Sequence, residues 1–286
     1  MNDDFSINLD QVPRLVDYLI EAGVGGLYVC GSTGEWASLT LDERRSVAES
    51  FVAAARRRIP VIVHVGHNCL RDARELAKHA AQIDADGIAA VPPSYFPTKS
   101  IDTLVDSMSE IAKGIDLPFF YYHLPSQTHV DIDMVEFFRR AEDRIPTLAG
   151  AKYSAPSVYE LQRIIDSFRG KYLMLFGKDE MLLSGLVVGA PSAVGSTYNL
   201  AAPLYRKIVA AYSQGRIDEA RGLQSIAARM VAILDRHGGI PAIKEAMKFV
   251  GIDCGPCRLP LATLEASESA AMKKEFEGLG FFGWTI

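Results

Sequence analysis

Residues 117–152 of the chain read LPFFYYHLPSQTHVDIDMVEFFRRAEDRIPTLAGAK. Two short apolar runs, 117–123 and 147–152, lie on either side of a segment near 132–141 that has the spacing of an amphipathic helix. Each run has the length and composition of a buried strand. A strand, a helix and a second strand in this order are typical of parallel strands joined by a crossover helix. The stretch therefore predicts an α/β fold.

The same alternation continues along most of the chain, because apolar runs with strand character are separated by helical segments. The predicted strands are 25–30, 60–66, 87–92, 118–123, 147–152, 172–177 and 193–197. Beyond the last of these runs only helical patterns follow. We therefore predict a TIM-type (β/α)8 barrel in residues 1–200 and additional C-terminal helices in residues 201–286, packed together as a single structural unit.

The predicted barrel has one strand fewer than a closed barrel. A closed barrel of this type needs eight strands, whereas the pattern supplies seven. The chain opens directly on a helical segment, 10–22, with no strand pattern before it. We therefore expect that the first strand is missing from this chain. An open barrel has two edges with unpaired backbone groups, which is unfavourable unless another segment covers them.

The composition excludes several classes of function. The chain has 286 residues, of which 49% are hydrophobic, and a formal net charge of −5. No long basic run is present, so nucleic acid and anionic membranes are not expected as partners. No apolar stretch is long enough to cross a bilayer, and the acidic start MNDDF lacks the features of a signal peptide. We therefore expect a cytoplasmic protein with a small-molecule substrate.

Two patterns resemble redox or metal motifs without completing one. Cys254 and Cys257 have the spacing of a redox dithiol or of half a zinc site, but no second pair completes such a site. We interpret them as two reduced thiols. A redox protein is the alternative, and it predicts an activity that depends on both thiols. His64 and His67 lack a nearby third ligand, so we expect no metal site.

The chemistry is expected at Lys152, the last residue of the run 147–152. A lysine at the end of a core strand must pair with a carboxylate or lose its charge, and a neutral amine is a nucleophile. Alternation would place Leu148, Gly150 and Lys152 on one face, where Gly150 would let a ligand approach the amine. Tyr122 lies at the end of the preceding apolar run. A lysine and a tyrosine on neighbouring strand ends suit Schiff-base chemistry on a carbonyl substrate.

Other strand ends also carry polar side chains, each with a structural interpretation beside the functional one. Ser32 and Thr33, after the first predicted strand, could hold a carboxylate or could form a tight turn. Tyr95, after the third, is by itself more typical of packing. Asp179 and Glu180, after the sixth, could bind hydroxyl groups or cap the next helix.

Together the strand ends carry the motifs of a known family. These motifs are GLYVCGSTGE (26–35), HVGHN (64–68), ADGIAAVPPSYFP (85–97), FYYHLP (120–125), GAKYS (150–154), FGKDE (176–180) and PSAVGSTYN (191–199). From Val12 to about Leu279, the chain resembles the pyruvate-dependent class I aldolases that include N-acetylneuraminate lyase and dihydrodipicolinate synthase. The motifs are similar to the lyase branch, and Gln127 stands where the synthase branch usually has an arginine.

The resemblance implies a role for each position. Lys152 would form a Schiff base with pyruvate, and Tyr122 would transfer protons. Ser32 and Tyr95 would take part in a proton relay, with Tyr95 lying at a contact between subunits. The pyruvate carboxylate would bind to Ser32 and Thr33. The polyhydroxylated part of a sugar acid would bind to Ser154, Gly177, Asp179, Glu180, Gly195 and Ser196.

The implied activity is that of a carbon–carbon lyase that cleaves N-acetylneuraminate to N-acetylmannosamine and pyruvate. No cofactor is expected, because the protonated imine serves as the electron sink. The resemblance also implies a homotetramer. Another aldolase of the family, acting on 2-keto-3-deoxy sugar acids or resembling dihydrodipicolinate synthase, stays open as an alternative. A pyruvate- or sugar-acid-binding regulator without turnover is the alternative from a different class.

Overall fold

The computed structural model describes residues 1–283 and has the predicted α/β organisation. Its strands are β1 (Leu27–Val29), β2 (Val61–His64), β3 (Gly87–Ala90), β4 (Phe119–His123), β5 (Leu148–Tyr153), β6 (Leu173–Phe176) and β7 (Ser192–Ala193). Its helices are α1 (Gln11–Ala22), α2 (Leu41–Ala55), α3 (Leu70–Gln82), α4 (Ile101–Ala112), α5 (Pro125–Thr128), α6 (Met134–Ala141), α7 (Val158–Phe168), α8 (Leu182–Val187), α9 (Tyr198–Ser213), α10 (Ile217–Arg236), α11 (Ile240–Phe249) and α12 (Ala266–Gly278). Each predicted strand corresponds to an observed one, with bounds that differ by a few residues.

The strands form one parallel sheet in the order of the chain, from β1 to β7. Each strand pairs with the next, and Tyr122 of β4 lies opposite Lys152 of β5. Within residues 1–283, β1 and β7 are the edges of this sheet, and no ladder joins them. The prediction of parallel strands with crossover helices is therefore confirmed, and the sheet of the described residues is open between β7 and β1.

The sheet is strongly curled. In a flat sheet, β1 and β5 would be about 19 Å apart, because neighbouring strands are spaced by about 4.8 Å. The Lys152 amine of β5 lies instead 4.3 Å from the centre of the Tyr28 ring of β1. Thr33, after β1, and Ser196, after β7, bring their hydroxyl oxygens to within 2.6 Å of each other. The carboxyl ends of the strands therefore surround a single mouth.

Side chains on the strands alternate between a helix-facing core and the inside of the curl. The inside contains Ala89, Phe120 and Leu175, packed with Tyr28, Ile62, Ala149 and Val194. Their neighbours along the strands belong to the larger core that the sheet shares with the helices. Above this inner layer, toward the carboxyl ends, the side chains of His64, Tyr122 and Lys152 meet. The mouth therefore lies above a layer of packed side chains.

The course of β5 corrects one prediction. Its register with β4 shifts near the start of the strand, and Leu148 packs in the helix-facing core. Gly150 leaves no room for a ligand, because a Cβ at this position would lie 1.9 Å from the carbonyl oxygen of Leu173 on β6. The expectation that Leu148 lies on the same face as Lys152 is therefore wrong, and so is the expectation of space for a ligand beside Gly150; Gly150 itself keeps the face of Lys152, because it pairs with the inward-facing Phe120. An irregular register changes the phase of alternation, and the backbone of the next strand fills the space beside the glycine.

Caps fix the helices that follow the strand ends. Thr40 and Glu43 form a capping box at α2, in which each side chain accepts a hydrogen bond from the backbone amide of the other residue. The Asp133 carboxylate accepts from two backbone amides at the start of α6, and the Ser157 hydroxyl accepts from the Glu160 amide at the start of α7. Because α2, α6 and α7 each follow a loop that leaves the mouth, these caps also hold the loops in place.

The C-terminal helices enclose a second hydrophobic cluster. It includes Leu204 and Ile208 of α9 and Leu234 of α10, and Leu15 and Tyr18 of α1 pack against it. The helix α9 follows β7 after a short turn, so the chain passes into the helical part without a long linker. In the described part of the chain, no helix combines the length and apolar character needed to cross a membrane.

Candidate active site

The amine of Lys152 lies at the centre of the mouth. The residue is buried, with 8% of its surface exposed, and the described residues contain no carboxylate in an ion pair with it. Its Nζ atom lies 4.3 Å from the centre of the Tyr28 ring and 4.2 Å from the centre of the Tyr122 ring. The two rings meet edge to face, with their centres 5.8 Å apart. The arrangement holds one potential nucleophile at a fixed position.

Tyr122 links this amine to a second hydroxyl group. It is the register partner of Lys152 across the β4–β5 ladder. Its hydroxyl oxygen lies 3.4 Å from that of Ser32, in the loop after β1. A phenol between an amine and another hydroxyl can accept and return a proton during a reaction at the amine. The structure therefore brings Lys152, Tyr122 and Ser32 together.

Thr33 and Ser196 lie where the two edge strands approach each other. Their hydroxyl oxygens are 2.6 Å apart, although the residues are separated by 163 positions in the sequence. Both side chains can donate and accept hydrogen bonds. With Ser32 they supply three hydroxyls in the loops after β1 and β7, which suits the binding of a carboxylate or of sugar hydroxyls.

Asp179 is a buried carboxylate in the turn after β6. Its Oδ2 atom accepts hydrogen bonds from the amide of Thr197 at 2.8 Å and from the hydroxyl of Thr197 at 2.7 Å. Burial raises the pKa of Asp179, and the two hydrogen bonds from Thr197 oppose this shift. The second oxygen lies beside Gly195, where a Cβ would be only 1.5 Å from Oδ1. Glycine at this position therefore leaves the carboxylate in its place.

Ser154 and Glu180 add further polar groups. The Ser154 hydroxyl is buried and has no hydrogen-bond partner among the described residues, and a Cβ at Gly177 would lie 2.1 Å from it. A ligand that offers a hydrogen bond would satisfy this group. Glu180 is more exposed and forms an ion pair with the Lys178 amine, with Oε1 and Nζ 3.0 Å apart. One oxygen of Glu180 is thus paired with Lys178.

Tyr95 lies apart from the mouth of its own chain. Its surface is 78% exposed, and its ring packs edge to face against the exposed ring of Phe96, with the centres 4.9 Å apart. The side-chain oxygen of Asn68 accepts hydrogen bonds from the backbone amides of Ser94 and Tyr95 and fixes this loop. Within the described residues, no hydrogen bond or ring contact joins Tyr95 to Tyr122. An exposed aromatic pair on a fixed loop suits contact with another chain.

Two residues at the mouth were not singled out from the sequence. Tyr28 holds the Lys152 amine, and its buried hydroxyl has no hydrogen-bond partner among the described residues. Burial raises the pKa of Tyr28 well above its usual range. Alternation along β1 could have found Tyr28, because its two neighbours are apolar and face the helices. The second residue, Glu35, gave no such sign.

Glu35 connects the loop after β1 to the C-terminal part of the chain. Its buried carboxylate accepts from the amine of Lys244 at 2.7 Å and from the backbone amide of Arg258 at 2.9 Å. The guanidinium of Arg258 donates to both carboxylate oxygens of Glu43 and to the carbonyl of Ser38. Lys244 and Arg258 are 209 and 223 residues away from Glu35 in the sequence. Such a long-range contact is visible only in the folded chain.

We expect Arg258→Met to lower the free energy of unfolding by about 2 kcal/mol at pH 7, because the bidentate ion pair with Glu43 is lost. Hydrogen bonds from Arg258 lower the pKa of Glu43 from 4.5 to about 2. The stability that this shift represents is therefore present above pH 4.5 and is lost as the pH falls toward 2. Urea unfolding should show a larger difference between variant and unmodified protein at pH 7 than at pH 3.

The control for this prediction is Arg236→Met, which removes an exposed pair with Glu275. It should change the free energy of unfolding by no more than about 0.5 kcal/mol. Equal losses at pH 7 and pH 3 for Arg258→Met would contradict the electrostatic contribution of Glu43.

The cysteines and histidines noted in the sequence do not share a site. Cys254 and Cys257 are free thiols, and burial raises the pKa of Cys257 to about 11, opposite to the shift of a reactive redox thiol. His64 is buried inside the curl, whereas His67 is partly exposed. Among residues 1–283, no group of three or more His, Cys, Asp and Glu side chains is arranged to hold a metal ion.

Sequence comparison places these features in the context of known proteins. The profile of the dihydrodipicolinate synthetase family matches residues 1–278. The N-acetylneuraminate lyase of Homo sapiens is 38% identical, and the alignment covers 100% of this chain and 91% of that protein. The N-acetylneuraminate lyase of Rattus norvegicus is 37% identical, with 99% and 91% covered.

Solved structures show the same similarity. Proteus mirabilis N-acetylneuraminate lyase superimposes with a TM-score of 0.95 at 36% identity, covering 98% of this chain and 95% of that chain. A catalytic lysine mutant of Ruminococcus gnavus sialic acid aldolase gives a TM-score of 0.93 at 28% identity, covering 100% and 94%. The similarity therefore extends over the whole described fold, including the strand ends that form the mouth.

Proposed function

The chain belongs to the dihydrodipicolinate synthetase family, and on that premise we propose that it cleaves N-acetylneuraminate to N-acetylmannosamine and pyruvate. It acts as a carbon–carbon lyase of the Schiff-base type and uses no cofactor. The observation that carries this proposal is the Lys152 amine between the rings of Tyr28 and Tyr122, with the Ser32 hydroxyl beside Tyr122. Full-length similarity to N-acetylneuraminate lyases supports the choice of substrate.

The reaction begins at the open-chain form of the sugar acid. The Lys152 amine attacks the C2 carbonyl carbon, and loss of water leaves a protonated imine. As water leaves, the Tyr122 phenol protonates the departing hydroxyl, and the resulting phenolate accepts the proton of the C4 hydroxyl as the C3–C4 bond breaks. The bonding electrons move into the imine to form an enamine, and N-acetylmannosamine leaves as the aldehyde. Tyr122 gives this proton to C3, and hydrolysis of the protonated imine releases pyruvate and the free amine and returns a proton to Tyr122.

The hydroxyls at the mouth hold the substrate during these steps. Ser32 and Thr33 bind the carboxylate next to C2. Asp179 offers a fixed, buried acceptor to a substrate hydroxyl, and Ser154 offers a buried hydroxyl without a partner of its own. The contacts to the polyhydroxylated chain come from Ser154, Gly177, Asp179, Glu180, Gly195 and Ser196. A substrate without the matching hydroxyls would leave buried groups unpaired, which disfavours it.

The exposed Tyr95 supports a further part of the proposal. We propose a homotetramer in which Tyr95 of each chain lies against the mouth of a neighbour and completes a proton relay with Tyr122 and Ser32. The exposed ring pair of Tyr95 and Phe96, on a loop fixed by Asn68, supports such a contact. Sedimentation of the purified protein tests the tetramer, and Tyr95→Phe tests the relay.

The proposal also covers the architecture of the chain and its location in the cell. We propose that residues 1–200 form a (β/α)8-type barrel that lacks the first of its eight strands, and that the helices after residue 200 form an extension of the same structural unit; residues 284–286 lie outside the described residues. The gap between β7 and β1 is the position that an eighth strand would occupy in a closed barrel. The close approach of Thr33 and Ser196 supports a sheet that curls until its two edge strands face each other. We also propose a cytoplasmic location.

We expect Gly195→Ala to lower kcat/KM for N-acetylneuraminate by about 100-fold. The added Cβ would lie 1.5 Å from Asp179 Oδ1, so the carboxylate must move away from the substrate hydroxyl. The trapping of pyruvate on Lys152 should stay within about threefold, because pyruvate has no hydroxylated chain. Steady-state kinetics with N-acetylneuraminate and borohydride trapping with pyruvate measure the two effects.

Gly222→Ala is the matched control, because a Cβ at Gly222 meets no atom within 4 Å. It should leave both measurements unchanged. A loss with pyruvate as large as the loss with N-acetylneuraminate would contradict the assignment of Asp179 to the hydroxylated chain.

The test of the function is direct. The purified protein should release pyruvate and N-acetylmannosamine in equal amounts from N-acetylneuraminate. The same assay with a 2-keto-3-deoxy sugar acid decides between the two aldolase activities. We expect kcat/KM for N-acetylneuraminate to be at least about tenfold higher. The opposite order would favour the alternative substrate class, and the absence of release from every 2-keto acid would favour the regulator.

A further inference from the structure

His64 shares the mouth with the proposed catalytic pair but has no role in the mechanism above. It ends β2, and its side chain faces the inside of the curl in the layer that contains Tyr122 and Lys152. It is 1% exposed. Polar side chains are seldom buried this fully unless they have a structural or functional role. The residues that contact His64 indicate this role.

The ring of His64 completes an aromatic wall. Its centre lies 5.9 Å from that of Tyr122, nearly perpendicular, and 6.2 Å from that of Tyr28. Tyr28 and Tyr122 contact each other as well, so the three rings form a closed triangle. Trp36, at 5.2 Å, packs against His64 from the loop after β1. Because Lys152 lies over two rings of this triangle, the position of its amine depends on the third.

Hydrogen bonds fix the orientation of this ring. The backbone amide of Val91 donates to His64 Nε2 at 3.3 Å, and the Arg44 guanidinium lies 3.5 Å from Nδ1. The guanidinium of Arg44 donates to the carbonyl oxygens of His64 at 2.7 Å and of Gly66 at 3.0 Å. Arg44 is buried, and in the described part of the chain no ion pair includes it. It therefore anchors the end of β2 from the helix side.

The ring also stays uncharged. Burial lowers the pKa of His64 well below its usual range, and the neighbouring guanidinium of Arg44 lowers it further. A neutral ring can lie against two phenol rings beside an amine without adding a competing charge. Its contribution is then one of shape, and an aromatic ring without nitrogen atoms should supply the same shape.

We infer that His64 is a positioning residue, whose ring holds Tyr122 and Tyr28 in the orientation that places the Lys152 amine. The inference rests on the proposed function, because positioning is defined by the reaction at Lys152. Loss of the ring lets Tyr122 turn away from its position 3.4 Å from the Ser32 hydroxyl. The expected consequence is slower turnover without weaker binding, because a side chain that is 1% exposed offers almost no surface to a substrate.

The experiment compares His64→Asn, which removes the ring, with His64→Phe, which keeps it. His64→Asn should lower kcat for N-acetylneuraminate at least about tenfold, with KM within about twofold. His64→Phe should keep kcat within about threefold, although it leaves the Val91 amide without its acceptor and lowers stability. A purely structural role as a hydrogen-bond acceptor predicts the opposite order, with His64→Phe at least as slow as His64→Asn.

His123 provides the matched control. It ends β4, is fully buried, and packs on Tyr153 on the helix-facing side of the sheet. His123→Asn and His123→Phe should leave kcat per folded molecule unchanged. If His64→Asn does not fold, His64→Leu replaces it in the same comparison with His64→Phe. Equal kcat values for the ring-free and ring-keeping variants would overturn the inference.

The outcomes separate this inference from the proposed function. If the unmodified protein traps no pyruvate and cleaves no 2-keto acid, the proposed function fails and the inference fails with it. If the unmodified protein is active and His64→Asn equals it, only the inference fails. If activity falls with the ring and returns with phenylalanine, both stand.

Discussion

Lys152→Met should lower kcat/KM for N-acetylneuraminate cleavage by about 10⁴-fold or more, because the nucleophile that forms the imine is gone. Methionine is a suitable replacement, since an unbranched apolar side chain can keep the packing between Tyr28 and Tyr122. The direct measurement is borohydride reduction in the presence of pyruvate, followed by mass spectrometry. The unmodified protein should carry one reduced pyruvyl group on the peptide that contains Lys152, and the variant should carry none.

The control for this experiment is Lys171→Met. Lys171 precedes β6 at the opposite end of the sheet and pairs with Glu142, far from the mouth. Its removal should leave both the adduct and kcat/KM unchanged. Trapping on another lysine in the Lys152 variant would contradict the assignment of the nucleophile. A folded, unmodified protein that forms no adduct would exclude the aldolase mechanism and leave the binding-protein alternative.

Tyr122→Phe should lower kcat by about 10³-fold while the ring packing around Lys152 stays intact. The substitution removes only the hydroxyl, which lies 3.4 Å from the Ser32 hydroxyl and is the proposed proton carrier. The imine should still form with pyruvate, more slowly, so borohydride trapping after long incubation should give the same final adduct. Stopped-time trapping and steady-state kinetics separate the two effects.

Tyr121→Phe is the control, because Tyr121 is the neighbour of Tyr122 on the other face of β4. Its hydroxyl is buried and has no hydrogen-bond partner among the described residues. Removing an unpaired buried hydroxyl should be neutral or slightly stabilising, and kcat should not change. A decrease of less than about tenfold in Tyr122→Phe would place the proton carrier elsewhere in the mouth.

Much of the fold was predictable because it depends on local patterns. The alternation of apolar runs and amphipathic segments predicted the strands and helices, and parallel strands with crossover helices follow from that order. The positions of Lys152, Tyr122 and Asp179 at strand ends were also visible in the sequence, since a strand end is defined by where the apolar run stops. Only the bounds of the strands differ from the prediction, by a few residues.

The predictions that failed depend on neighbouring strands. The prediction that Leu148 shares a face with Gly150 and Lys152 assumed regular alternation along the whole strand, but a register shift relative to β4 separates Leu148 from Gly150. The space beside Gly150 assumed an empty neighbour, whereas the carbonyl of Leu173 on β6 fills it. Neither the register nor the approach of the next backbone is encoded in the run of residues that contains them.

The sequence by itself determined which residues have the chemistry: an amine at the end of a core strand, a phenol at the end of its neighbour, and hydroxyls and carboxylates after the other strands. Only the tertiary structure decided which of them meet. The curl of the sheet brings Tyr28 to the Lys152 amine, and long-range contacts join Thr33 to Ser196 and Glu35 to Arg258. Local spacing follows from backbone geometry, whereas the distance between remote residues depends on how every strand twists and packs on the next.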